Sequence, residues 1–135
     1  MNSTECGLCM LKEETYQHLF IECKIGQLVW NRCLNWLGIK FVQHKVPKIH
    51  FVSFHSTRAS CEQNLAWKGI WAAIVRCIWD QRNVVLFNQK VEDADEIFQM
   101  AKLKVWAWLK HRSNSFEFSY SDWILNSSIC LSSLK

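Results

Sequence analysis

Four residues near the start of the chain have the types and spacing of metal ligands. Cys6 and Cys9 form a C-x2-C pair, and His18 and Cys23 follow it as H-x4-C. Three thiolates and one imidazole suit a tetrahedral Zn²⁺, which needs four such donors brought together from two short pieces of chain. The spacing therefore predicts a zinc knuckle held by Cys6, Cys9, His18 and Cys23.

A competing interpretation treats the same residues as ordinary ones. Cysteine is abundant, with seven in 135 residues, so a C-x2-C pair also arises by chance, and a free cysteine packs as a small apolar residue. His18 would then be a surface histidine on a helix. An H-x4-C pair so soon after C-x2-C favours zinc. The spacing of His44, His50 and His55 is too irregular for a second metal site.

Composition places limits on the class of protein. Half of the residues are apolar and eight are tryptophan, enough for a substantial core. Seven cysteines is an odd number, and the polar, acidic N-terminus does not resemble a signal peptide, so we expect an intracellular protein of the nucleus or cytoplasm. The most apolar stretch, 66–79, is too short and too charged to span a bilayer, so no membrane partner is expected.

The elements that must position the ligands are helical. We predict a mainly α fold, with a small zinc knuckle followed by a helical bundle of three to five helices. A finger with its following helix would occupy 1–38, and a Trp-rich helical region with a loose tail would occupy 39–135. Apolar residues recur at helical spacing in most of this length. The predicted helices cover residues 15–23, 25–37, 62–82 and 93–112.

Local signals mark the ends of these helices and the segments between them. Thr15 is the expected N-cap of the first helix, and Gly38 the residue that ends the second. Pro47 interrupts 39–61, where we expect one short helix. Residues 84–87 continue the long helix or form a short extended piece. A capped turn is expected at 121–124, and the loose tail at 126–135.

Two further expectations concern local packing. Gly7, inside the C-x2-C pair, is expected to let the backbone turn tightly toward a metal. Leu28 is expected on the apolar face of the second helix, and Trp30 and Cys33 in the core rather than in a functional site.

Catalytic arrangements are missing from the sequence. We find no carboxylate pair held on one face, no Gly-rich phosphate loop and no Ser-His-Asp arrangement. Four protein ligands would also leave zinc no open position for water. The sequence therefore predicts a protein that is not an enzyme and has no small-molecule substrate.

Several blocks of sequence resemble the zinc-binding region of plant non-LTR (LINE-type) retrotransposon reverse transcriptases. The resemblance covers about residues 5–125. It rests on Cys6-x2-Cys9, Glu14-Thr15, His18-Leu19-Phe20, Cys23, Trp30, Ile78-Trp79-Asp80-Gln81-Arg82-Asn83 with Phe87, Trp106-Ala107-Trp108-Leu109-Lys110 and Asp122-Trp123.

The resemblance implies a nucleic-acid-associated accessory region at the C-terminal end of a reverse transcriptase. It carries over the same four zinc ligands and no other functional residue. In that family a helical segment and a polymerase domain precede the first cysteine, whereas this chain begins five residues before Cys6. We therefore expect a truncated fragment without polymerase activity, whose partners are RNA or DNA and the reverse-transcriptase polymerase domain.

The formal charge of +4 permits contact with nucleic acid without arguing for it, since no basic run is longer than 110–112. Exposed residues near the knuckle are the candidates, through phosphate contact and base stacking: Lys12, Tyr16, Lys24 and Arg32. The alternative function is a helical protein–protein interaction or structural domain without nucleic-acid binding, which a large exposed tryptophan patch would favour.

Overall fold

The computed structural model describes residues 4–39, 43–55, 59–88, 93–114 and 116–134, with the backbone alone over 86–88. The fold is mainly α, as predicted, with a Cys/His knuckle first, helices after it, and no strand within these ranges. The elements are a π-helix His18–Glu22 and the α-helices α1 Lys24–Leu37, α2 Pro47–Ser53, α3 Cys61–Asn88, α4 Ala94–Arg112, α5 Tyr120–Leu125 and α6 Ser127–Ser132.

The long helices α3 and α4 pack against each other, and α1 packs against α4 and the π-helix. Their buried apolar side chains form one continuous cluster with those of the knuckle. Leu8 and Leu19 from the knuckle region belong to the same cluster as Ile78 of α3 and Leu134 near the C-terminus. The two regions expected over 1–38 and 39–135 therefore share one hydrophobic core.

Helix α1 agrees closely with its predicted limits. It ends at Gly38, whose φ of +71° lies in the left-handed region, and the Gly38 amide donates to the carbonyls of the last turn. Trp30 and Cys33 are completely buried, as expected. Leu28 is different, since 47% of it is exposed. The apolar arc of this helix is wider than the face that its neighbours cover, and Leu28 lies at the uncovered edge.

Two segments whose structure the sequence left undecided contain helix where the structure describes them. The short helix expected within 39–61 is α2, and Pro47 begins it rather than only interrupting the chain, since the first helical position needs no amide donor. Residues 84–87 continue α3 to Asn88. At the next helix, the Asp93 side chain accepts from the Asp95 amide at 2.9 Å and caps α4.

The expectation of a loose tail at 126–135 is wrong. Residues Ser127–Ser132 form α6, and Cys130 and Leu131 are buried in the core. Trp36 of α1 connects to this region, because its indole Nε1 donates to the Ile124 carbonyl at 3.0 Å and its own carbonyl accepts from Ser127 Oγ at 3.1 Å. The preceding turn, α5, has a capping box formed by Ser119 and Asp122.

None of the helices in the described ranges combines the length and the apolar character that crossing a bilayer requires.

His50 of α2 is a buried histidine within an aromatic cluster. Its ring centroid lies 4.5 Å from that of Trp30, and Trp71 Nε1 donates to His50 Nδ1 at 2.8 Å. Burial, with a smaller contribution from the charge of His44, lowers the pKa of His50 to about 4. The neutral ring is the form that the folded protein holds, which agrees with its expected role outside any metal site.

This lowered pKa makes stability depend on pH. The pKa of His50 is about 6.5 in the unfolded state and about 4 in the folded state, so between these pH values His50 is protonated only when the protein unfolds. The contribution of neutral His50 to the free energy of unfolding is therefore complete above about pH 6.5 and is lost as the pH falls toward 4. Wild type should therefore lose stability when the pH is lowered from about 7.5 to 5.5. We expect this loss to be smaller by roughly 1 kcal/mol in His50→Gln, in which the glutamine keeps an acceptor for Trp71.

Urea unfolding at the two pH values, with zinc in excess, measures this difference. Release of zinc in acid destabilises wild type and variants alike, so this effect cancels when their pH dependences are compared. His55→Gln, at an exposed histidine, serves as the control and is expected to keep the wild-type pH dependence. An unchanged pH dependence in His50→Gln would contradict the assignment.

Candidate metal centre

The C-x2-C pair lies in a tight loop closed by backbone hydrogen bonds. The Cys6 amide donates to the Lys12 carbonyl at 2.8 Å, and the Met10 amide donates to the Cys6 carbonyl at 3.0 Å. Within this loop the left-handed backbone is that of Met10, with φ of +57°, so the tight turn expected at Gly7 does not use a positive φ there. Gly7 is required for space, since a Cβ there would lie 2.8 Å from Cγ of Arg82.

The second pair of ligands is carried by a helix that widens. Its start agrees with the prediction, because Thr15 Oγ1 accepts from the His18 amide at 3.0 Å. The Cys23 amide then donates to the His18 carbonyl at 2.6 Å, a bond across five residues that defines a π-helical turn. In an α-helix, side chains five residues apart differ in direction by about 140°. The wider turn reduces this angle and brings His18 and Cys23 to one side.

The four predicted ligands converge. Their donor atoms, the sulfurs of Cys6, Cys9 and Cys23 and a ring nitrogen of His18, all lie within 4.8 Å of one another. The sulfurs of Cys6 and Cys23 are 3.8 Å apart, and Cys9 Sγ is 3.2 Å from His18 Nε2. Two sulfurs bound to one tetrahedral ion at about 2.3 Å are separated by about 3.8 Å. The group could therefore bind a metal ion without rearranging the fold.

Hydrogen bonds favour an ionised sulfur at Cys6, while burial acts against ionisation at both Cys6 and Cys23. Cys6 and Cys23 are fully buried, whereas Cys9 is half-buried. The contact with Cys23 lowers the pKa of Cys6 to about 5 and raises the pKa of Cys23, because the two sulfurs share one proton. Hydrogen bonds from amides of the first turn of α1 lower the pKa of Cys23 and so oppose this increase. The Leu11 amide donates to Cys9 Sγ at 3.5 Å.

An ion pair outside the ligand set holds the knuckle against α3. The Glu14 carboxylate accepts from the Gly7 amide at 2.7 Å and from Nη2 of Arg82 at 2.7 Å. Burial raises the pKa of Glu14, but the hydrogen bonds and charge of Arg82 outweigh it and leave the pKa below its usual value. Arg82 also lies over the Trp79 ring, 4.8 Å from its centroid. The sequence showed these residues in two separate blocks and gave no sign that they meet.

The structure does not gather all four nucleic-acid candidates. Lys12 and Lys24 line one cleft beside the ligands. Tyr16 is 71% exposed and stacks in parallel on Phe20, with ring centroids 6.2 Å apart. Arg32 forms an ion pair with Asp95 at 2.8 Å, so its charge is already matched. Lys45 lines the same cleft and was missed, since no spacing pattern connects it to the knuckle.

Comparison with known proteins returned no matches. No family model, no curated protein and no solved structure matches this chain. The resemblance to the reverse-transcriptase zinc-binding region therefore stays a prediction from the sequence.

Replacing a buried ligand tests the metal centre directly. We expect Cys23→Ser to lose the bound metal that wild type retains after purification with zinc, together with helical circular dichroism. Serine is a favourable N-cap residue, so the start of α1 keeps its cap and the loss reports on the missing sulfur. Cys61→Ser, at an exposed free cysteine, is the control and is expected to bind metal normally. Equal metal content in both variants would exclude this ligand set.

Glu14→Gln tests whether the ion pair with Arg82 supports the ligands. We expect zinc affinity to fall by roughly 10- to 100-fold, the usual effect of losing a partner outside the ligand set. Competition with a chromophoric chelator measures the affinity. Glu13→Gln changes the neighbouring exposed carboxylate and is expected to bind zinc as wild type does. If the two variants bind zinc equally, Glu14 has no such supporting role.

Proposed function

We propose that this chain is a non-catalytic zinc-binding module that associates with nucleic acid. The observation that carries the proposal is the convergence of Cys6, Cys9, His18 and Cys23, whose donor atoms lie within 4.8 Å of one another. Two pieces of chain separated by a loop supply these atoms in pairs. Single cysteines do pack as small apolar residues, but packing alone gives no reason for three thiols and an imidazole nitrogen to converge on one point.

The donor set supports zinc as the metal. Three thiolates and an imidazole with a tetrahedral edge of 3.8 Å match the ligands and geometry of structural zinc sites. When bound, zinc joins the two pieces of chain and supplies folding free energy, on the order of 10 kcal/mol in small zinc modules. The four side chains would fill the coordination sphere, which supports a structural rather than a hydrolytic role.

The sequence resemblance and the position of two lysines support nucleic acid as the partner, and the charge permits it. The chain has a formal charge of +4, and Lys12 and Lys24 lie beside the metal ligands rather than in distant ion pairs. The resemblance adds two finer proposals, that the chain is a fragment of a retrotransposon reverse transcriptase and that the polymerase domain is a second partner. Because the three thiolates must stay reduced, the proposed location is the nucleus or cytoplasm.

The alternative, a helical interaction or structural domain, has less support. A large exposed tryptophan patch would favour it, but all eight tryptophans are buried or half-buried. Size-exclusion chromatography with and without nucleic acid separates the two functions, because only the first predicts a shift on adding nucleic acid.

Salt dependence tests the association with nucleic acid. We expect the zinc-loaded chain to bind a fluorescein-labelled single-stranded oligonucleotide, with log affinity falling linearly as log salt rises, by about 0.7 per phosphate contacted. Fluorescence anisotropy measures the binding. A chelator is expected to abolish it and added zinc to restore it. Failure to bind at about 50 mM salt, or binding indifferent to salt, would contradict the proposal.

A further inference from the structure

A cleft of about 470 Å³ opens beside the metal ligands, and we call it the lysine cleft. Its walls come from the knuckle loop, from the π-helix with the start of α1, and from the segment before α2. Cys9 and His18, the less buried pair of ligands, form part of the wall. The polar side chains that line the rest are Lys12, Glu22, Lys24, Gln27, Gln43 and Lys45.

The charge of the lysine cleft is positive and uncompensated. Three ammonium groups line it against a single carboxylate among the described lining residues, that of Glu22, which accepts a hydrogen bond from Gln17 at 3.0 Å. The three lysines are exposed and have no ion-pair partner within the described ranges. The ion pairs found among the described residues are made by arginines instead: Arg32, Arg76, Arg82 and Arg112. An anion is therefore the ligand that this surface attracts.

One lining residue also needs a hydrogen-bond donor from the ligand. Gln43 donates from Nε2 to Asn31 Oδ1 at 3.2 Å, which fixes the amide, while its Oε1 is buried and has no partner among the described residues. A buried acceptor left without a partner costs about 1 to 3 kcal/mol. Inorganic phosphate could offer this oxygen only its own P–OH, whereas a nucleotide also has base imino or amino groups and sugar hydroxyls that lie apart from its phosphate.

We propose that the lysine cleft binds one or two nucleotides of a single-stranded nucleic acid. Lys12, Lys24 and Lys45 would neutralise phosphate groups, and Gln43 would accept from the base or sugar. The volume is within the range of pockets for small ligands, about 300 to 1,000 Å³, and so admits part of a strand rather than a duplex. This inference rests on the proposed association with nucleic acid and adds the surface and the ligand class.

Two triple variants of the zinc-loaded full chain test the location. Lys12→Gln/Lys24→Gln/Lys45→Gln removes the charges of the cleft. The matched control removes three exposed lysines elsewhere, Lys48→Gln/Lys104→Gln/Lys110→Gln, and so changes the net charge equally. Zinc content and circular dichroism establish that both variants fold. Anisotropy with a labelled twelve-nucleotide oligothymidylate measures their affinity.

At about 50 mM salt we expect the cleft variant to bind at least tenfold more weakly than wild type and the control less than threefold more weakly. Each lost phosphate contact should also reduce the salt slope by about 0.7. Equal losses in the two variants would overturn the cleft assignment while leaving the proposed function in place. If wild type binds no oligonucleotide at all, the proposed function fails together with this inference.

Competition identifies the class of ligand. We expect unlabelled thymidine monophosphate to displace the labelled strand at lower concentration than inorganic phosphate, and Gln43→Leu to reduce this difference. Equal displacement by inorganic phosphate would mean a site for free phosphate, and equal displacement by polyglutamate a site for acidic proteins. Either result would overturn the nucleotide assignment. Tighter binding of the corresponding duplex than of the single strand would overturn it as well.

Discussion

Cys23 joins three structural features at one residue. Its amide closes the π-helical turn by donating to the His18 carbonyl at 2.6 Å, its sulfur lies 3.8 Å from that of Cys6, and its backbone is the N-cap of α1. The direction of α1 and the position of the metal ligands are therefore set together. Since α1 packs on α4, a change in the ligand geometry is transmitted directly to the helical core.

The knuckle is part of the core rather than a finger attached to it. The partly buried Glu14–Arg82 ion pair connects its loop to α3, and Gly7 leaves the room that the Arg82 side chain occupies. Removing one member would leave the other charge without its partner in a partly desolvated site. Leu8 and Leu19 add apolar contacts to the same core. Metal binding and helix packing thus contribute to a single cooperative unit.

Coordination chemistry explains which features could be predicted from the sequence. Metal ligands need specific residue types at short spacing, and helix ends have local signals such as Thr15 and Gly38, so both could be predicted. The π-helical turn has no sequence signature, because any one-residue widening of a helix produces it. Residues 127–132 are rich in serine, a modest helix former, and α6 depends on burying Cys130 and Leu131. Placements that depend on distant parts of the chain, such as that of Lys45 in the wall of the lysine cleft, leave no local pattern.

If the lysine cleft binds a strand as proposed, its position couples the binding of metal and of nucleic acid. Cys9 and His18 are ligands and also form its wall, and the loop bearing Lys12 is the loop that bears Cys9. Metal binding therefore fixes the separation of Lys12 from Lys24 and reduces the entropy that a phosphate must otherwise overcome in ordering them. Coupling between two binding sites is reciprocal, so a bound strand must raise the affinity for the metal by the same factor. In the proposed arrangement the metal site supports a binding surface, which explains why two of its ligands lie at the edge of a cleft.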